Sequence, residues 1–170
     1  FIVSLAEKLK KRQINCKFIF SGRNEDHRNP NHYKNLINLI NKKKLNDYFE
    51  FLGHVDSSLV KLLIKKCEAL ISPSKHEGWA TISEESRFFG KYVFLSKIAC
   101  HIEQNPPGAI YFNLKNIKEL EKKFVKFIKK PPTKLKKKKL IMNCKVSYKK
   151  LKNETISETN KAYCELLNKF

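Results

Sequence analysis

The stretch from Ala69 to Gly90, ALISPSKHEGWATISEESRFFG, constrains the fold of this chain more than any other. The apolar run Ala69-Leu70-Ile71 ends in Ser72-Pro73-Ser74. A short polar loop then carries Glu77 and Gly78, and an amphipathic segment with Glu85 near its middle stops at Gly90. Apolar run, polar loop and 3.6-residue periodicity in that order predict a buried strand, a loop and a helix. In an open α/β sheet, ligands sit in the loop beyond a strand's carboxyl end.

That geometry predicts chemistry. A helix starting near Trp79 aims unpaired backbone N–H groups and a partial positive charge at the loop, which suits a phosphate. Gly78 lets backbone approach a ligand with no Cβ in the way. Glu77 and Glu85 are eight residues apart. Within one helix they would stand about two turns apart, near the same face. With Glu77 in the loop instead, it stands at the mouth and Glu85 lies deeper. A carboxylate accepts two hydrogen bonds, so it suits neighbouring hydroxyls on a ribose or a sugar ring. Amides for phosphate beside carboxylates for hydroxyls would fit a nucleotide sugar. The same residues also fit a solvated helical face, with Glu84-Glu85 near the positive helix end. Spacing alone leaves both readings open.

The rest of the chain repeats the pattern. Phe1 to Arg12 carries a helical stripe of Phe1, Ile2, Leu5, Ala6 and Leu9. Cys16 to Ser21 reads as a strand closed by Gly22, and Arg23 to Pro30 as polar loop. Asn31 to Lys44 reads as a helix, Tyr48 to Leu52 as a strand, and Asp56 or Ser57 as the cap of a helix through Cys67. After the central stretch come a strand at Tyr92 to Leu95, a loop through Pro106-Pro107-Gly108, a strand at Ala109 to Phe112 and a helix from about Asn116 to Lys129. Strands alternating with helices predict an α/β fold with a Rossmann-like, doubly wound parallel sheet. Pro131-Pro132 marks a boundary, giving a domain over 1–130 and a basic extension over 131–170 with two C-terminal helices.

Composition sets outer bounds. The 170 residues suit one domain of ordinary size. The chain starts at Phe1 rather than Met, which predicts a piece of something longer. A net charge of +20, with the run Lys134 to Lys139, points to nucleic acid, an anionic membrane or an acidic substrate, or to a general Lys, Asn and Ile bias. The five Cys (16, 67, 100, 144 and 164) form no C-x-x-C pair, which argues against zinc or redox chemistry. Their odd count argues against a disulfide framework and fits a reducing, cytoplasmic setting. Cys16 and Cys67, beside strands, are expected to be small core residues. No G-x-G-x-x-G or P-loop occurs among the five glycines, which removes support for a dinucleotide oxidoreductase or a P-loop ATPase. No apolar run approaches the ~20 residues of a membrane span.

Ser74-Lys75-His76-Glu77-Gly78-Trp79 followed by Glu85 resembles the Glu-x(7)-Glu signature of retaining glycosyltransferases of the GT-B fold, the glycosyl transferases group 1. The likeness extends to both sides. Phe49-Glu50-Phe51-Leu52-Gly53-His54-Val55 resembles the strand and loop before the motif. Tyr92 to Ser96, His101-Ile102-Glu103, Ala109 to Asn113 and Asn116 to Leu120 resemble the strands, loop and helix after it. It covers roughly residues 1–130, all within the carboxyl-terminal, donor-binding half of the GT-B fold. The resemblance implies a nucleotide-diphosphate sugar as donor, retaining transfer of a hexose, and no metal or other cofactor. No D-x-D occurs in the chain. It also implies a saccharide or lipid-linked acceptor and an amino-terminal domain that holds it.

Carried over by position, Glu77 contacts the donor sugar and is the catalytic candidate, and Glu85 holds the ribose. The backbone of Gly78, Trp79, Ala80, Thr81 and Ile82 cradles sugar and diphosphate, and Gly53 and His54 come near the base. Two departures stand out: Ala80 where Gly is common, and Ser86-Arg87-Phe88-Phe89 where small residues are usual. His76 and His101 flank the expected pocket, each also readable as a solvated loop residue. Ser74 is expected to support the loop. Trp79 reads as a pocket wall or as ordinary packing, and Glu103 as structural or substrate-orienting. The final helix, through Tyr163, Leu166 and Leu167, would brace the amino-terminal domain or remain a solvated tail. The Arg and Lys that neutralise the leaving diphosphate in this family would precede Phe1. Charge stabilisation there is a large catalytic effect, so the piece alone is expected to be inactive.

Three other readings remain open. A basic nucleic-acid-binding module would use Lys134 to Lys139, against which no helix-turn-helix, zinc-finger or aromatic RNA-binding signature occurs. A peripheral protein would dock its basic surface on anionic lipid at the inner membrane face. A non-transferring GT-B relative, such as a sugar epimerase, would keep the fold without the transfer.

Overall fold

The computed structural model describes residues 1–24 and 29–167, with side chains described through residue 155 outside that gap. Tertiary contacts group residues 1–67 with 112–131, and residues 68–111 with 132–170.

The first unit is built on phenylalanine. Helix α1 (Ile2–Lys11) buries Leu5, Ala6 and Leu9 completely, the i, i+1, i+4 stripe that its sequence predicts. Strand β1 (Phe18–Phe20) follows, then helix α2 (His32–Lys42), a single 3-10 turn (Asn46–Tyr48) and strand β2 (Phe49–Phe51). β1 and β2 pair in parallel, with Phe18 opposite Phe49 and Phe20 opposite Phe51. The Phe18 ring lies 5.7 Å from Phe49 and 5.6 Å from Phe124, within the range of favourable aromatic pairs. The Tyr48 hydroxyl donates to the Ile14 carbonyl at 3.1 Å, so this buried aromatic keeps its polar end satisfied. Helix α3 (Ser57–Lys66) starts on Asp56, whose carboxylate accepts from the N–H groups of Ser58 and Leu59. The remaining helix of this unit is the late one, Ile117–Lys129, capped by the Asn116 side chain on the Glu119 N–H.

The second unit holds the central stretch. Strand β3 (Ala69–Ser72) pairs in parallel with β4 (Tyr92–Ser96), in the register Ala69 to Tyr92 through Ser72 to Leu95. Strand β5 (Ala109–Phe112) lies on the other side of β4. β4 is the middle strand, and Val93, Phe94 and Leu95 are fully buried; a near-continuous apolar strand is what two covered faces require. Helix α4 (Thr81–Phe89) connects β3 to β4 and ends at Gly90, which is left-handed at φ 63°. A Cβ there would meet Ile141 Cγ1 at 2.7 Å, so both conformation and space require glycine.

Two elements and two cysteines depart from the sequence reading. Lys97 to Gln104 was expected to be loop, but Ala99–Gln104 is a short helix, α5. Asn105, left-handed at φ 34°, and the Pro106-Pro107 pair end it. The late helix Ile117–Lys129 is therefore α6. Two C-terminal helices were expected; a single helix, α7 (Lys134–Leu167), runs instead, because no Gly or Pro interrupts the sequence beyond Pro132. The parallel strands lie in two hydrogen-bonded ladders, β1-β2 and β3-β4-β5, one in each unit. Cys16 and Cys67 are only half-buried; among the described residues the buried thiols are Cys100 and Cys144. Burial still pushes the Cys16 thiol up to about 11, away from nucleophilic use. Tyr163, Leu166, Leu167 and Cys164 lie outside the residues whose side chains are described.

Candidate functional site

Between the end of β3 at Ser72 and the start of α4 at Thr81 lies an eight-residue loop, Pro73 to Ala80. The helix starts two residues later than the Trp79 expected from the sequence. Glu77 is therefore in the loop and Glu85 is the fifth residue of the helix, the second of the two arrangements open to the sequence. They do not share a helical face.

Serines hold the loop. The Ser72 hydroxyl donates to Ser74 Oγ at 3.1 Å, and Ser74 Oγ donates to Glu77 Oε1 at 2.6 Å. From the last position of β4, Ser96 Oγ donates to the Ser74 carbonyl at 2.5 Å. His101 Nδ1 lies 2.8 Å from the Ser96 carbonyl, which places its proton on that nitrogen. His101 is thus a fully buried structural residue rather than a solvated one. Its Nε2 has no partner among the described residues. His76 is exposed. The support role expected of Ser74 has a concrete form: a short hydroxyl–carboxylate bond that fixes the Glu77 side chain.

Gln104, on α5, fixes the other end of the loop. Its Oε1 accepts from the Ala80 N–H at 3.2 Å, and its Nε2 donates to the Ala80 carbonyl at 3.1 Å and to Glu84 Oε1 at 3.0 Å. The buried amide pairs with Ala80 as a neighbouring strand would. Ala80 is 2% exposed, and its N–H is committed to Gln104. Among the described residues, none accepts from the N–H groups of Thr81 and Ile82, the first two residues of α4. Gly78 and Trp79 are exposed, and a Cβ added to Gly78 would meet nothing within 4 Å. Trp79 is 57% exposed, so packing within this chain does not account for it.

Two carboxylates on α4 have opposite environments. Glu84 pairs with Arg87, Oε2 to Nε at 3.3 Å, and accepts from Gln104. Arg87 is 3% exposed; it donates also to Ser147 Oγ at 2.6 Å and to the Gln104 carbonyl. Glu85 is half-buried, and burial pushes its carboxyl above the usual carboxylate range; among the described residues no cation offsets it. A desolvated acid without a cation beside it, one turn inside the helix, is a stronger pointer to a ligand than a solvated helical face. Glu103 is exposed on α5.

Gly53 and His54 belong to the other unit. Gly53 follows β2, is left-handed at φ 65°, and its carbonyl accepts from the Gly22 N–H at 2.8 Å. His54 is exposed. In the same unit, a cavity of about 210 Å³ at the carboxyl ends of β1 and β2 is lined by Phe20, Gly22, Arg23, Tyr33, Leu36 and Phe51 among others. A wider groove of about 740 Å³ lies between α1 and α6. It is lined mostly by lysines and holds none of the expected site residues. Among the described residues, no three His, Cys, Asp or Glu stand together as a metal site.

Sequence reasoning missed Gln104, Ser96 and Arg87. Each acts across the fold on a residue more than fifteen positions away, so no local spacing reveals it.

Solved structures share this architecture. A glycosyltransferase from Rickettsia africae is 20% identical over 98% of this chain, with a TM-score of 0.78. Sucrose-phosphate synthase from Thermosynechococcus elongatus is 13% identical over 99%, also at 0.78. HepE from Anabaena, crystallised with UDP, is 16% identical over 94%, at 0.74. The chain spans 44%, 43% and 44% of those proteins, less than half of each. No curated protein sequence matches it. The fold is thus one Rossmann-like half of the GT-B type. The family model for glycosyl transferases group 1 matches residues 1–145, from the first helix into α7, and the chain belongs to that family.

Proposed function

We propose that this chain is the donor-binding half of a retaining hexosyltransferase that uses a nucleotide-diphosphate sugar. Residues 1–130 would form the donor domain and residues 131–170 a helical extension. The observation that carries the reading is the pair of carboxylates around the start of α4: Glu77, fixed by Ser74, and Glu85, desolvated and without a cation. HepE was crystallised with UDP, which makes uridine diphosphate the first probe.

In this reading the N–H groups of Thr81 and Ile82 face the diphosphate, aided by the positive end of α4. Gly78 and Trp79 border the sugar. Glu85 accepts from the ribose hydroxyls and Glu77 from the sugar hydroxyls. Ala80 contributes position rather than a donor, because Gln104 holds its N–H. As the bond from the sugar to the diphosphate breaks, positive charge grows on the sugar, and the Glu77 carboxylate, fixed by Ser74 in the loop that would border the sugar, would stabilise it. The residues that would neutralise the leaving diphosphate lie elsewhere in the longer protein, as does the acceptor site. No metal is required.

Calorimetric titration of the full-length protein with UDP and UDP-hexoses tests this. Glu85→Ala is expected to weaken binding by roughly 1.5–3 kcal/mol, the worth of hydrogen bonds to a charged group. Unchanged affinity would remove the ribose role.

A further inference from the structure

Helix α7 presents two different faces. Leu140 is 6% exposed, Cys144 is 1% exposed and Ser147 is half-buried, and these positions face α4. On the opposite side, Leu135 is 76%, Met142 68% and Val146 69% exposed. At 3.6 residues per turn these three fall within about 20° of one line, roughly three turns long. Lys138, Lys139, Lys145 and Lys149 flank that line on both sides. From Lys134 to Lys152 there are nine lysines and no Asp or Glu. Large aliphatic side chains held out in water have no role in packing this unit.

We infer that the outer face of α7, from Leu135 to Lys149, docks on an anionic lipid bilayer. Charge complementarity selects an anionic surface, and the aliphatic stripe selects lipid over nucleic acid. Leu, Met and Val gain by entering the acyl boundary, whereas base recognition calls for aromatic or hydrogen-bonding side chains. The lysines on either side reach the headgroup level on long apolar stems. The helix would lie in the interface plane. Among the described residues none is long and apolar enough to span, so docking would be peripheral. The inference does not depend on the donor-site reading.

The test is vesicle co-sedimentation of the full-length protein. Vesicles of phosphatidylcholine alone are compared with vesicles carrying a third phosphatidylglycerol. The protein should pellet with the second and not the first. The variant Leu135→Ser/Met142→Ser/Val146→Ser keeps every charge and changes only exposed positions. It should lose binding about tenfold or more, with an unchanged melting temperature. Lys118→Glu/Lys122→Glu/Lys126→Glu on α6, in the groove of the other unit, should still pellet. Absence of binding to anionic vesicles, full binding by the serine variant, or an equal loss with the α6 variant would each overturn the proposal.

Discussion

Glu85 is where stability and function pull apart. Its folded pKa is raised by burial, so the ionised form is disfavoured in the folded chain. At neutral pH the charge therefore destabilises the fold, and the penalty is relieved as pH falls through the raised pKa. Glu85→Gln should therefore keep or raise the melting temperature while weakening nucleotide binding. Thermal melts and titrations on the same variant check both arms. Donor affinity in the wild type should begin to fall, on acidification, at a higher pH than an ordinary carboxylate would give. Gly78 makes a second prediction at this scale. Among the described residues nothing needs that position to be glycine, since a Cβ would meet open space. Gly78→Ala should leave thermal stability within about 0.5 kcal/mol, as surface substitutions generally do. Weaker donor binding measured alongside would place the open space on the ligand side.

Among the elements, α4 is positioned from α5. Gln104→Met keeps the volume but leaves the Ala80 N–H without its buried acceptor, which should destabilise by about 1–3 kcal/mol. Chemical denaturation gives the number, and donor titration should show a loss as well, because the loop end that leads into Thr81 and Ile82 of α4 is freed. In the other unit, α1 and α6 are joined at Glu121. Its oxygens pair with Arg12 Nε at 2.7 Å and Lys8 Nζ at 3.3 Å. The hydrogen bond from Arg12, and then that from Lys8, hold its carboxyl below the usual range despite burial. The stability this gives is present above the ordinary carboxylate range and is lost as pH falls through the lowered pKa. Denaturant melts between neutral and acid pH should show that loss, and Glu121→Gln should flatten it.

The elements also show what the sequence carries. The stripes of α1 and α3 and the run of β4 are strong local periodicities, and Asp56 is a cap readable three residues at a time. α5 is six residues long, too short for a period to register, though Asn105 before two prolines was a legible stop. The unbroken α7 was misread as two helices, although the stretch holds no glycine or proline to divide it. The loop placement of Glu77 was legible in the polar run before the helix, and a deeper Glu85 was one of the two arrangements that the spacing left open. Choosing between them depends on where α4 starts, next to Ala80, which Gln104 binds from twenty-four residues away.

For the whole molecule, the chain belongs to the glycosyl transferases group 1, and the three solved structures that share its fold are each more than twice its length. In the proposed reading donor recognition resides in this half, while acceptor recognition and diphosphate neutralisation would draw on residues outside it. The isolated chain should thus give no transfer, measured as release of nucleoside diphosphate from a panel of donors; turnover by the 170 residues alone would contradict this. The most direct measurement is a crystal structure of the full-length protein with a bound nucleotide sugar. Diphosphate should lie within hydrogen-bond distance of the Thr81 and Ile82 N–H groups, with ribose hydroxyls on Glu85 and sugar hydroxyls on Glu77. A donor bound away from the start of α4, or bound there with both carboxylates turned to water, would contradict it.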